Sequence, residues 1–397
     1  MALATRRLAL ALSEGGHACD IVVPGSLDVE PGAWEVPVRG IEALPQSQEP
    51  LTSQDQLSSQ LAVDRPDVVV VAEGRSGLLV AASRVAPTLL HCHVHSVACP
   101  DDARYWSRLG RECSVKAGWK CLAMRPLLGC TNLARATSVK PVLARRRLGE
   151  LVCGGAVGAL AISSHQASLL RGAGVESQSV AVLPNLGMRL TPAELRKAAA
   201  STAAEYRSTA VYIGRLSKTK GAHLLPALAS RLTPTPLRVF GEGYLDSFLR
   251  DRIPTCLGGQ VPQRRVAGLL QWASSVLSPS LWPEPGGIVG IDAQLFGAPL
   301  GTFDIGSASD WPQATLFPVG DTDAMARWAG RQASVSSPRP AELIASAQDR
   351  YWRRVASRAS GLLEEFKSSG KFVDSATDAV RQDVGASLGL PQPRDGG

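Results

Sequence analysis

No run of about 18 uncharged apolar residues occurs anywhere in the chain, which excludes a protein built of several membrane-spanning helices. A strong imbalance of charge is also missing. Charged residues make up 19% and hydrophobic ones 45%, so the chain as a whole is not of the open, disordered kind. Lysine is scarce, with 8 among 42 cations, and the remaining 34 are arginine. That skew follows GC-rich coding more simply than a special need for guanidinium groups. No secretory leader is legible in MALATRRLALALSEGGH, whose short apolar stretch is amphipathic and lacks a small-residue cleavage site. The expectation is therefore the cytoplasm, with contact at the inner membrane face as a further option. There the eight cysteines are reduced thiols or metal ligands rather than disulfides.

What the chain does have is two series of alternating strand and helix signals. At 397 residues it has room for two domains. In the first half, Val68–Ala72 is a β-branched run without alternation, the pattern of a parallel strand covered on both faces. Thr88–His91, Val157–Ile162 and Val180–Leu183 are further strand candidates, with helices at Gly77–Val85 and Ser164–Gly172. A second series starts at Thr209–Ile213 and continues through Leu237–Phe240, Ser275–Ser278 and Ala298–Thr302, with helices between. A polar helical stretch, Ala193–Tyr206, reads as a connector, and Pro340–Phe366 as a long charged helix. This predicts an α/β protein of two Rossmann-like domains, with ligands at the carboxyl ends of the strands.

Five segments of the second half carry a resemblance: ISSHQASLLRGAGV…VAVLPNLGM, VYIGRLSKTKGAHLLPALASRL, LRVFGEGYLDSFL, QVPQRRVAGLLQWASSVLSPSLWPEPGGIVGIDAQLFGAPLGTFDIG and FPVGDTDAMARWA. In this order and spacing the chain resembles the retaining glycosyltransferases of family 4, which have the GT-B fold of two Rossmann-like domains facing a cleft. LALALSEGGHACDIVVP, RPDVVVVAE and HCHVHSVACP match more loosely. The resemblance implies an acceptor-binding domain at 1–187 with a Cys-rich insert at about 99–150, and a donor domain at 188–340. A C-terminal helix at 341–372 then packs back towards the first domain, and 373–397 is a frayed tail. Family members open with a strand and a Gly-rich loop before the helix that ends at GGH. Here the first residue already lies in that helix, so the expectation is either that the chain's true start lies upstream or that the first domain misses its first strand.

The resemblance also assigns residues. Arg215 and Lys220, after Gly214 at a strand end, would neutralise a leaving diphosphate, Arg as a bidentate fork and Lys as a point charge. Two solvated surface cations are the bland alternative, and Lys218 stands between the two readings. Glu284 would hold hydroxyls of the donor sugar. Asp292, where the family has a second Glu, would accept from the ribose with a shorter reach. Between them Gly286, Gly287, Ile288 and Val289 open a helix whose free N–H groups suit a phosphate. Gly241 and Gly243 would line the nucleotide pocket, and Val261 would meet the base through its backbone. Ser280 reads as structural.

In the first half, His93 stands six residues before Cys99-Pro100, where many family members place a histidine facing the sugar or its phosphate. His91 and His95 share its strand parity, so a three-His metal cluster and plain buried histidines are alternatives. Cys99, Cys113, Cys121 and Cys130 lack paired C-x-x-C spacing; they are structural zinc ligands or cross-linked, or simply reduced thiols. Arg145-Arg146-Arg147 is a solvated helix end or a contact to an anionic membrane surface. Nucleic acid has no motif support.

The expected activity is transfer of a sugar from a nucleoside-diphosphate sugar to a carbohydrate, lipid or small-molecule acceptor, with no required cofactor. No Asp-x-Asp motif stands in the context that metal-dependent enzymes use. The competing reading is a non-catalytic protein of the same fold.

Overall fold

The computed structural model describes residues 2–24, 36–41, 54–72, 74–115, 118–130, 139–202, 206, 209–232, 235–332 and 338–373. The tail expected to fray lies outside the described residues beyond Val373. Two units are distinguished. The first takes the described residues up to Leu109, Cys113–Leu186 and those from Arg353 on; the second takes Gly110–Glu112 and Gly187–Trp352.

The first unit opens with α1 (Ala2–Glu14), which ends at Gly15 and Gly16, the latter at φ 93°. β1 (Ile21–Pro24) and β2 (Val38–Ile41) pair in parallel as a small sheet. After α2 (Gln54–Ala62) come β3 (Val69–Val71), α3 (Ser76–Ser83) and β4 (Thr88–Cys92). β5 (Tyr105–Trp106), β6 (Arg111–Glu112, which is grouped with the second unit), α4 (Lys120–Leu128) and α5 (Lys140–Cys153) follow, all four in or overlapping the stretch where sequence patterning offers no clean strand. β7 (Gly158–Ala161), α6 (Ser164–Gly172) and β8 (Val180–Val182) complete a four-stranded parallel sheet in the order β3-β4-β7-β8. The Val68–Ala72 run was expected to be covered on both faces. Among the described strands β3 instead stands at the edge of its sheet, and Val69 and Val70 are only half-buried while Val71 is buried, because an edge position removes one flank of packing. The core gathers Leu57, Leu79, Leu90, Leu148, Val152 and Ala159 from helices and sheet. Arg358 donates to the carbonyl of Val182 at 2.6 Å, tying the end of the C-terminal helix to β8.

The second unit begins with α7 (Pro192–Ser201), which carries a complete capping box: Thr191 accepts from Glu194 N–H while Glu194 accepts from Thr191 N–H. This helix is more than a connector, since Leu195 and Ala198 are fully buried and Ala199 accepts from the Trp272 indole at 3.0 Å. β9 (Ala210–Ile213), α8 (Leu225–Arg231), β10 (Leu237–Phe240), α9 (Asp246–Arg250), β11 (Leu257–Gly259), α10 (Gln263–Trp272) and β12 (Ser275–Ser278) come next. They are followed by α11 (Ile288–Leu295), β13 (Leu300–Phe303), β14 (Ala314–Phe317) and α12 (Thr322–Gly330). The six strands are all parallel in the order β11-β10-β9-β12-β13-β14, which puts the order reversal beside β9. In such a sheet the crevice for a ligand lies outside the carboxyl ends at that reversal. β11 and β14 were not expected, being three and four residues long at the two edges. The long α13 (Ala341–Ser369) supplies Ala341–Trp352 to the second unit and the rest to the first.

Candidate functional site

Three loops meet at the carboxyl ends of β9, β10 and β12. Gly214 N–H donates to the Phe240 carbonyl and Leu216 N–H to that of Glu242, both at 2.9 Å. The Thr219 carbonyl accepts from Leu281 N–H at 2.9 Å, Trp282 N–H at 3.0 Å and the Ser280 hydroxyl at 3.3 Å. The Tyr212 hydroxyl donates to the Arg215 carbonyl at 2.8 Å. The loop bearing Arg215 and Lys220 is thus pinned on both sides by backbone bonds. Two glycines make the approach possible. Gly221 sits at φ 69° with the Pro279 carbonyl where a Cβ would stand, and Gly241 at φ 135° with the Gly214 carbonyl there.

A cavity of about 630 Å³ opens here, lined by Arg215, Gly241, Glu242, Gly243, Asp246, Arg250, Gly259 and Gln260. Sequence reading singled out Arg215 and the two glycines of FGEG but missed Glu242, Asp246, Arg250 and Gln260. Gln260 directly precedes Val261, which packs half-buried against the core, so the position next to the expected base contact was the available signal. Arg250 pairs with Asp246 at 2.6 Å, one helical turn back.

Beside it, Lys220 Nζ lies 2.8 Å from Glu284 Oε2 and 5.0 Å from the centre of the Trp282 ring. Glu284 is 9% exposed, a buried acceptor with one cation on it. The Ser307 N–H donates to its carbonyl at 2.9 Å. Gly286 and Gly287 follow, with Gly287 as the N-cap of α11 and Ile288 and Val289 half-buried in the first turn. Asp292 is 6% exposed, and its Oδ1 accepts from Met188 N–H at 2.6 Å. Burial, reinforced by Asp292, pushes the Tyr351 phenol upward. One oxygen of Asp292 is therefore committed to holding the start of the second unit.

In the first unit β4 leads into the histidines. His91 and His93 stand with ring centres 4.2 Å apart, while His95 turns to His165 at 6.4 Å. His95 parts from the other two, since β4 ends at Cys92 and the chain turns, with His93 N–H bonded to the His91 carbonyl. Burial holds His93 down at about 4, and burial together with His93 holds His91 well below the usual imidazole range. Gln166 fixes this loop, accepting from Ile162 N–H and donating to the Val94 carbonyl.

All eight cysteines are free thiols. Among the described residues no three His, Cys, Asp or Glu side chains are arranged to hold a metal ion. The zinc expectation for Cys99, Cys113, Cys121 and Cys130 and the three-His alternative therefore find no support. Cys99 Sγ instead accepts from Arg104 N–H at 3.4 Å, and Arg104 donates to the Cys113 carbonyl at 2.6 Å. Burial pushes the Cys130 thiol up to about 12, with the neighbouring Cys113 and Cys99 thiols, Asp101 and Cys121 adding to it. What knits this insert is a buried pair, Arg125 to Asp101 through two bonds of 2.6 and 2.9 Å. Of the arginine run, Arg145 points inward to the Val97 carbonyl at 2.7 Å and Arg146 pairs with Glu150 at 3.0 Å.

Residues 1–186 match the profile described as a glycosyl transferase 4-like domain. A search of curated proteins returns no match. Among solved structures, a sucrose-phosphate synthase from Thermosynechococcus elongatus is 14% identical, with 92% of this chain and 93% of that one covered at a TM-score of 0.62. A glycosyltransferase from Rickettsia africae is 13% identical, covering 92% and 94%, at 0.59. HepE from Anabaena, solved in complex with UDP, is 16% identical, covering 96% and 95%, at 0.57. At these identities the likeness is one of fold, and the fold is that of the GT-B glycosyltransferases. No helix among the described residues is long and apolar enough to cross a membrane.

Proposed function

We propose that this chain, whose N-terminal domain belongs to the glycosyl transferase 4-like family, is a glycosyltransferase that takes a sugar from a nucleoside-diphosphate donor with retention of configuration. The observation that carries the reading is the pairing of Lys220 with Glu284 beside Arg215, on loops that backbone bonds hold together. Departure of the nucleotide leaves a diphosphate, and cations already in place lower the barrier by meeting charge as it develops. Arg215 faces the cavity and takes phosphate oxygens with its fork. Lys220 would move from Glu284 to the phosphate, and Glu284, freed of it, would accept from the sugar hydroxyls. The N–H groups at Gly287 and Ile288 offer a further phosphate contact. Gln260 and Val261 bracket the position for the base, whereas Asp292 is assigned chiefly to the Met188 contact rather than to the ribose.

In the front-face route the departing phosphate accepts the proton of the acceptor hydroxyl while the new glycosidic bond forms on the same face. No side-chain nucleophile is then required. His93, neutral at physiological pH, can donate a hydrogen bond without adding charge. HepE was solved with UDP, which makes UDP-sugars the first donors to test. The acceptor is a carbohydrate, lipid or small molecule. The non-catalytic reading gains no support from the family match or from the neighbours in fold. The test is a thermal-shift panel of UDP-, GDP-, ADP- and dTDP-sugars, followed by donor turnover in the parent and in Lys220→Ala. Stabilisation by one nucleotide class and loss of turnover in the variant are expected. Full turnover in Lys220→Ala would overturn the assignment.

A further inference from the structure

The cavity of the second unit has a direction. Arg215 stands after β9, Gly241, Glu242 and Gly243 after β10, and Gly259 and Gln260 at the end of β11. These three strands are neighbours in the order β11-β10-β9. Adjacent strands lie about 4.8 Å apart, so the lining runs about 10 Å across the sheet from Arg215 to Gln260. Backbone bonds stiffen this floor. Gly241 N–H donates to the Gly259 carbonyl at 2.9 Å, and Leu245 N–H to the Leu216 carbonyl at 3.1 Å.

The polar groups on this lining differ in what they have left to give. Asp246 and Arg250 are spent on each other at 2.6 Å. The side chains of Arg215, Glu242 and Gln260 make no hydrogen bond or ion pair among the described residues. A free cation therefore marks the β9 side, a free carboxylate the middle and a free amide the β11 side. This inference rests on the donor reading above, in which Arg215 takes the diphosphate. The carboxylate of Glu242 repels a phosphate, so the part of the nucleotide that falls to β10 and β11 is the base.

We infer that this base is guanine, selected by the Glu242 carboxylate with the Gln260 amide. A carboxylate offers acceptors only, two of them side by side. Guanine sets two donors side by side, N1–H and the 2-amino group, and these meet one carboxylate as a pair of bonds. Uracil and thymine offer a single N3–H between two carbonyl oxygens, which a carboxylate repels. Adenine and cytosine offer an amino group beside an unprotonated ring nitrogen, so one of the two carboxylate oxygens faces a lone pair. The amide of Gln260 donates as well as accepts, and guanine O6 is the acceptor left for it. A site built of such groups rejects a base that leaves them unpaired.

The test is calorimetric titration of the full chain with GDP, IDP, UDP and ADP at one salt concentration. GDP should bind tightest. IDP lacks only the 2-amino group and should bind about ten- to a hundredfold more weakly, the worth of one hydrogen bond to a charged group. UDP, the nucleotide that likeness of fold suggests, should trail GDP by at least as much. Glu242→Gln keeps the size of the side chain and replaces one acceptor oxygen. Its affinity for GDP should fall about tenfold and the advantage of GDP over IDP should close, with UDP affinity unchanged. Tightest binding by UDP or ADP overturns the inference and leaves the glycosyltransferase reading standing. Equal binding of GDP and IDP by the parent does the same, as does an undiminished preference for GDP in Glu242→Gln. Absence of binding by all four nucleotides overturns both. If Glu242→Gln melts early, the comparison of GDP with IDP on the parent protein carries the test without a variant.

Discussion

At the scale of single residues, the donor site is a balance of three charges that a ligand must rearrange. Lys220 rests on Glu284 in the free protein. Removing it deletes a cation aimed at the leaving group, and Lys220→Ala should lower kcat by about a hundred- to a thousand-fold, measured as donor turnover at saturation. The same substitution leaves Glu284 buried without its partner, so its melting temperature must be read alongside. Gly241 has a different vulnerability. At φ 135° with the Gly214 carbonyl in the way, Gly241→Ala should cost about 1–3 kcal/mol and distort the cavity wall, seen as a lower denaturation midpoint and weakened nucleotide binding. His93 sets a pH dependence whose sign is fixed by burial. Its folded value lies at about 4 against an ordinary 6.5, so below 6.5 the unfolded chain binds more protons than the folded one. Stability contributed by neutral His93 is present above 6.5 and is lost as pH falls towards 4. His93→Gln should flatten the decline of melting temperature across that window.

At the scale of elements, two buried polar contacts hold pieces that packing alone would leave loose. Asp292 reaches from α11 to the Met188 N–H just ahead of α7. Asp292→Ala strands that donor and should cost about 1–3 kcal/mol, read in chemical denaturation. A loss of stability with little change in KM for the donor marks the scaffolding role; a raised KM at unchanged stability would restore the ribose contact. In the insert, Arg125 and Asp101 are 2% and 4% exposed at their side chains and bonded twice. Asp101→Asn removes the negative charge bonded to a buried guanidinium and should destabilise the first unit by about 3–5 kcal/mol, read in chemical denaturation. Regular helices also organise this region. α4 follows exposed Trp119 and ends on Gly129 at φ 65°, a left-handed stop the Leu-Leu-Gly spelling allows.

At the scale of the whole molecule, the two units divide the work. The residues proposed for the donor, from Gly214 to Val289, all belong to the second unit, whereas the histidines after β4 and helices α4 and α5 belong to the first. A saturating nucleotide therefore stabilises the second unit by mass action. Hydrogen exchange should slow at 214–221, 241–261 and 284–295 on adding the stabilising nucleotide, while 118–130 and 139–153 stay as they were. Slowing confined to the first unit would displace the donor site.

The alternation of short apolar runs with helical segments determined the α/β class, and the GRLSKTKG, FGEG and EPGGIVGID spellings pointed to their strand ends, because both signals are local. Glycine spacing and strand-to-loop order are written within a few residues of one another. Other features depended on which distant segments meet. The run Val68–Ala72 looks central, yet its place at the sheet edge leaves it half-covered. Asp292 looks like an open acceptor, yet Met188 claims it. Three histidines share one parity, yet the strand ends at Cys92, leaving His91 beside His93 and His95 against His165. Four cysteines share one insert, yet no metal-holding group forms among the described residues. The Lys220–Glu284 pair and the cavity wall of Glu242 and Gln260 were decided by tertiary structure alone. Side-chain direction and burial are set by the packed neighbour, and that neighbour is distant in sequence.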